Sequence, residues 1–233
     1  MQVFGFPSAV FGTNCYVLAT SVGHECVVVD PGIEILAELG EVLRVNRLKP
    51  AAVLLTHGHL DHTYSVTPVC GAHGVAAYLH ADDRYRLRDP LSEFAPQMLA
   101  MLEQQFGRAA TWTEPDDVID VRDGATLELA GLQIDVLHAP GHTEGSVMFE
   151  LAGVPDDTRE DATRTLLSGD VLFEGSIGRT DLAGGDHAAM LHSLRHQVLG
   201  RSDDTLVLPG HGAQTTIARE RATNPFLRQL QNS

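Results

Sequence analysis

Short apolar runs recur along the chain, separated by Gly-, Pro- and Asp-rich punctuation. Residues 15–20 (CYVLAT) and 26–29 (CVVV) predict two strands, the second closed by the turn signal Asp30-Pro31-Gly32. Over residues 34–47 the apolar positions change period: Ile35, Leu36, Leu39, Leu43 and Val45 fall on one helical face, and Lys49-Pro50 is expected to stop that helix. Residues 51–55 (AAVLL) are continuously apolar, the pattern of a strand covered on both faces.

The second half repeats the theme. Residues 126–129, 132–137, 147–150, 165–167 and 205–208 read as strands, with turns at Asp123-Gly124 and Ala130-Gly131. Helices are expected over 188–199 and over 214–230, the latter interrupted near Pro225. Residues 154–164 (VPDDTREDATR) are charged and apolar-poor, hence an exposed loop. Between the two halves, residues 81–111 are rich in Leu, Met, Gln, Arg and Glu, which predicts a mostly helical insertion beside a cleft. Strands followed by a helix, twice over, within 233 residues suit one layered α/β domain spanning 1–233.

Composition narrows the function. A formal net charge of −15, from 31 acidic and 16 basic side chains, repels phosphate backbones and argues against nucleic acid as a partner. Cys15, Cys26 and Cys70 are odd in number and form no framework, so they are expected as reduced, buried thiols of a cytoplasmic protein. No basic leader or membrane-length apolar run is visible, which argues against secretion and membrane insertion.

The candidate chemistry sits at strand ends. Thr56-His57-Gly58-His59-Leu60-Asp61-His62 directly follows the run 51–55. Imidazole nitrogens and carboxylate oxygens are ligands for Zn²⁺, Fe and Mn. His57 and His59, two apart on an extended turn, can face one ion; Asp61 and His62 can face a second. Pro140-Gly141-His142-Thr143, Ser168-Gly169-Asp170 and Pro209-Gly210-His211-Gly212 each place one more such side chain just past an apolar strand, where layered α/β proteins gather their sites.

This ordered set resembles the metallo-β-lactamase superfamily, from Asn14-Cys15-Tyr16 to the C-terminal helix. The resemblance implies an αββα sandwich of two mixed sheets with helices on the outer faces. It implies that His57, His59 and His142 hold one divalent metal, that Asp61, His62 and His211 hold another, and that Asp170 bridges the pair. The metals are expected to be Zn²⁺, with Fe or Mn as alternatives, and Asp61 and Asp170 to handle protons.

Residues 172–181 (LFEGSIGRTD), Gly184-Gly185-Asp186 and the tail around Asn224-Pro225-Phe226-Leu227 resemble the short bacterial form of glyoxalase II, the hydroxyacylglutathione hydrolases. That implies hydrolysis of small thioesters, with Arg179 as a substrate contact. Full-length glyoxalase II enzymes carry a further C-terminal helical domain that holds glutathione. The sequence ends soon after 224–227 without it, so loose recognition of the thiol carrier is expected. A competing expectation is a persulfide dioxygenase of the same superfamily, using one iron on His57, His142 and Asp170. His80 and His138 lie near the motifs and could orient ligands, though such residues more often simply hydrogen-bond the backbone.

Overall fold

A computed structural model describes residues 1–91, 97, 99–101, 104, 113–158 and 160–231. The first sheet has six strands in the order β1 (Gln2–Pro7), β2 (Asn14–Ala19), β3 (Glu25–Val29), β4 (Lys49–Leu54), β5 (Ala77–His80) and β6 (Val118–Val121). β1 to β3 are antiparallel neighbours and β3 to β6 run parallel. The second sheet has β7 (Thr126–Leu129), β8 (Leu132–His138), β9 (Val147–Ala152), β10 (Arg164–Gly169), β13 (Thr205–Pro209) and β14 (Thr215–Thr216), parallel only between β10 and β13. β11 (Leu172–Phe173) and β12 (Ser176–Ile177) pair as a small ribbon.

Side-chain alternation explains the layering. Along β2, Cys15, Val17 and Ala19 enter the core beneath the helices Leu36–Asn46 and Val66–His73, while Tyr16 and Leu18 enter the core between the sheets. β3 and β4 divide the same way: Val28 and Val53 face the helices, Val27 and Leu54 the other sheet. In the second sheet Phe149, Leu167 and Leu206 point inward, whereas Met148, Leu166 and Val207 meet the helical layer around Met190, Leu194 and Leu227. Period-two side chains with both faces apolar cannot serve a sheet wetted on one side. The result is the αββα sandwich that the resemblance implied.

Several boundaries differ from the sequence reading. The first helix ends at Arg47 in the left-handed conformation (φ 54°), and Lys49-Pro50 open β4 instead of merely stopping the helix. The helix expected over 188–199 is α-helical over His187–Ser193 and then widens into a π turn, Leu194–Val198. The last expected helix divides into Ile217–Thr223 and Pro225–Gln231. Asn224, preceding proline, is extended there (φ −66°, ψ 120°). About half of the insertion expected at 81–111 lies outside the described residues. Its first part is a 3₁₀ turn, Ala81–Asp83, and a short helix, Arg84–Arg88. All three cysteines are buried and free, and burial pushes the Cys26 thiol up to about 12. Among the described residues, no helix is long and apolar enough to cross a membrane.

Candidate metal centre

The C-terminal ends of β4, β8, β10 and β13 meet along one edge of the sandwich. Backbone bonds stitch them across both sheets. Val147 N donates to Thr56 O (2.8 Å), Gly210 N to Gly169 O (2.8 Å), and Asn14 N to Gly210 O (2.7 Å). Asn14 Nδ2 and the Tyr16 hydroxyl also donate to Pro209 O, at 2.9 and 2.8 Å, so the second strand pins the loop carrying His211.

Seven side chains converge at this edge in three overlapping groups: His57, His59 and His142; His57, His62 and Asp170; and Asp61, His62 and His211. His59 Nδ1 lies 2.9 Å from His142 Nε2, and His62 Nε2 lies 3.3 Å from His211 Nε2. Asp170 reaches into both halves: its Oδ1 is 3.4 Å from His62 Nε2, and its Oδ2 is 3.5 Å from both His142 Nε2 and His211 Nε2. Metal–ligand bonds of ~2.0–2.1 Å in four- to six-coordinate geometry put neighbouring ligand atoms roughly 2.8–3.4 Å apart. The observed spacings are the edges of such polyhedra. His57 Nε2 and Asp170 Oδ1 are buried without a hydrogen-bond partner, an arrangement whose desolvation penalty an ion would remove. A Cβ at Gly210 would fall on Asp170 Oδ1 and against His62 Cε1 (2.8 Å), so only glycine leaves this space open. The donor set and the cradle fit two divalent ions.

Neighbouring groups set which nitrogen faces inward. Asp30 Oδ2 accepts the Nδ1 proton of His62 (2.9 Å) and the Thr56 hydroxyl (2.7 Å), while its Oδ1 accepts Thr56 N (2.8 Å). Thr56 Oγ1 in turn accepts from His57 Nδ1 (3.1 Å), and the Arg179 carbonyl accepts from His142 Nδ1 (2.8 Å). The Nε2 atoms of all three rings thereby face inward, as lone pairs on His57 and His142 and as the protonated nitrogen on His62. The Thr13 hydroxyl donates to Asp61 Oδ2 (2.7 Å).

The two halves are electrostatically unlike. Burial, reinforced by the surrounding imidazoles, drives His57 well below the ordinary imidazole range; burial and His142 bring His59 down to about 3; burial also lowers His142. These three offer lone pairs at neutral pH. Burial opposes a charge on His62 too, yet the carboxylates of Asp61, Asp170 and Asp30 outweigh it and lift that ring to about 10. His211 is raised as well, against burial, chiefly by Asp61 and Asp170. Asp61 is lowered, because His62 and His211 outweigh its burial. A cation entering the second half must therefore displace the His62 proton. Zinc loading at neutral pH is expected to release protons, with apparent affinity rising as pH climbs toward 10. Calorimetry in two buffers of different ionisation enthalpy checks this; a buffer-independent heat would contradict it.

The Arg179 guanidinium is exposed and clasped by Asp181 (2.7 and 2.8 Å); its contribution to the centre is the backbone carbonyl on His142. Arg179→Ala is therefore expected to leave metal content unchanged. Loss of an ion on elemental analysis would show that the side chain matters. His80 and His138 stack on one another (4.1 Å, 10° between planes), and His138 Nε2 donates to Glu144 O, the backbone bonding that was the alternative to orienting a ligand. His80, Asp82 and His138 also converge, but parallel stacked rings cannot both aim in-plane lone pairs at one ion. Thr13, Asp30, Asp83 and Arg86 support the centre and were not anticipated. Only the Asp30-Pro31-Gly32 turn marked one of them.

The sequence profile of the metallo-β-lactamase superfamily matches residues 9–211. The hydroxyacylglutathione hydrolase GloC of Haemophilus influenzae is 33% identical, over 97% of this chain and 98% of that protein. Among solved structures, the BLEG-1 B3 metallo-β-lactamase is 36% identical with a TM-score of 0.78, covering 97% of this chain and 99% of its own. TTHA1623, solved in a di-iron-bound form, is 33% identical with a TM-score of 0.74, covering 96% and 100%.

Proposed function

The chain belongs to the metallo-β-lactamase superfamily, and from that premise we propose that it is a dinuclear metal-dependent hydrolase of thioesters of the hydroxyacylglutathione type. The observation that carries this reading is Asp170, a single carboxylate within 3.5 Å of histidines from both halves of the centre. His57, His59 and His142 hold the first ion, Asp61, His62 and His211 the second, and Asp170 lies between. Zinc suits the nitrogen-rich first half. Iron and manganese suit the donor set too, and a relative at 33% identity takes two irons.

Bound there, the ions supply Lewis acidity toward a thioester carbonyl and lower the pKa of an attacking water. The protein's own part is geometric and electrostatic. Asp30 and Thr56 hold the rings, Asp170 would set the separation of the two halves, and Asp61, kept ionised and partly exposed, would receive the water's proton, with Asp170 as the alternative acceptor. The thiol carrier is a small molecule, and the net charge of −15 disfavours nucleic acid as substrate. Three buried free thiols support a cytoplasmic location.

The test is turnover of S-lactoylglutathione with release of free thiol by the zinc-, iron- or manganese-loaded protein. The competing persulfide dioxygenase would need only His57, His142 and Asp170, leaving Asp61, His62 and His211 converged without a role. Oxygen uptake with glutathione persulfide, in the absence of thioester cleavage, would overturn the hydrolase reading in its favour.

A further inference from the structure

The two loops that carry His57, His59 and His142 share one support. Asp83 ends the 3₁₀ turn after β5 and is fully buried. Its Oδ2 accepts Gly58 N and the Thr143 hydroxyl, both at 2.7 Å; its Oδ1 accepts Gly145 N (3.0 Å) and Arg86 Nη1 (2.7 Å). Gly58 stands between His57 and His59, and Thr143 and Gly145 come one and three residues after His142. A Cβ on Gly145 would meet Asp83 Cγ at 2.7 Å, and one on Gly58 would meet Arg86 Cβ at 2.8 Å and Asp83 O at 3.1 Å. Both glycines are thus glycine because this carboxylate and its helix press against them. Arg86, itself fully buried, balances the Asp83 charge and extends the support to Glu144 (2.6 Å) and to Ala183 O (2.8 Å).

The other half of the centre is held differently. Asp61 is held by Thr13, His62 by Asp30, and the His211 loop by Asn14 and Tyr16. Among the described residues, none of those bonds passes through Asp83.

We propose that Asp83 is the positioning residue of the His57, His59 and His142 half: one buried carboxylate that fixes the backbone of both loops, and so the affinity of one metal site and not the other. The proposal rests on the reading of the centre as dinuclear. The group must be a carboxylate because all four of its partners are donors. In Asp83→Asn the amide nitrogen would face either Gly145 N and Arg86 Nη1, losing two bonds, or Gly58 N and a Thr143 hydroxyl able to turn and accept, losing at least one.

The experiment is chelator-competed zinc titration of wild type and Asp83→Asn, with Co²⁺ absorption as a second probe and melting of the metal-free protein as a control. Removing an outer partner of metal ligands weakens binding about 10–100-fold. The expected result is that loss on one of two sites, the other unchanged. At zinc concentrations that fill only the tighter site, adding His59→Ala to Asp83→Asn should cost no further ion, whereas adding Asp61→Ala should remove the remaining one. Thr143→Val, which deletes one donor at equal volume, should weaken the same site to a lesser degree, and it decides the matter if Asp83→Asn does not fold. Equal weakening of both sites, or none in either variant, overturns the role of Asp83. A wild type that takes fewer than two zinc ions overturns instead the dinuclear reading beneath it.

Discussion

Asp170→Ala is expected to abolish thioester turnover while leaving the fold intact. Its two oxygens lie 3.4–3.5 Å from histidines of both halves, His142 in one and His62 and His211 in the other. Losing an outer partner of a metal ligand costs roughly 10–100-fold in affinity or activity. Losing the shared group should cost more, because the separation of the two halves is no longer set and one ion should be lost. Alanine also removes Oδ1, a buried acceptor without a partner, so the metal-free protein loses no hydrogen bond there. The large apolar layers carry the fold. Turnover measured beside circular dichroism checks both halves of the expectation. Near-normal turnover, or a collapsed fold, would each contradict it.

Asp30→Ala should behave in the opposite way, losing stability as well as metal. Asp30 is buried and accepts from Thr56 N, the Thr56 hydroxyl and His62 Nδ1. Truncation strands a backbone donor, a hydroxyl and an imidazole where water does not reach, and breaking such a buried pair costs about 3–5 kcal/mol. Asp61 and Asp170 still face His62, so the lower end is expected. The backbone adds to it: Asp30 sits at φ 49°, which aspartate tolerates better than alanine. Denaturant unfolding of the metal-free variant checks the stability loss. Asp30→Asn keeps acceptor capacity in part and should lie between. A metal-free Asp30→Ala as stable as wild type would mean that these hydrogen bonds do not support the edge.

What the sequence disclosed follows from the range of the interactions. The central strands announced themselves because β4 shows core residues to both sides, Val53 to the helices and Leu54 to the second sheet. The residues of the candidate centre were legible because each lies just past such a strand, and five of the seven stand beside a glycine. β1 was not recognised: it is an edge strand whose residues are half-buried or exposed, carrying Gly5 and ending at Pro7. β5 and β6 are four residues each, too short for alternation to register. The helix Val66–His73 carries β-branched Val66, Thr67 and Val69 together with Pro68 and Gly71; it forms because Val66, Val69 and Cys70 bury against the first sheet, not through local preference.

The supports of the centre were hidden for a different reason. Asp30 lies 26 residues from Thr56 and 32 from His62, and in sequence it reads only as a turn former. Asp83 and Arg86 sit in a charged stretch (ADDRYRLRDP) that looks like solvated surface, yet both side chains are fully buried. Apart from each other, the partners named above lie 25 to 97 residues away, and only the meeting of two sheets at one edge brings them together.

The most direct measurement of the central claim is the metal count per chain after saturation with zinc and removal of excess, with the ions located by anomalous diffraction. Two ions are predicted, one against His57, His59 and His142 and one against Asp61, His62 and His211, with Asp170 contacting both. A single ion, or two that leave either set of side chains empty, would contradict it.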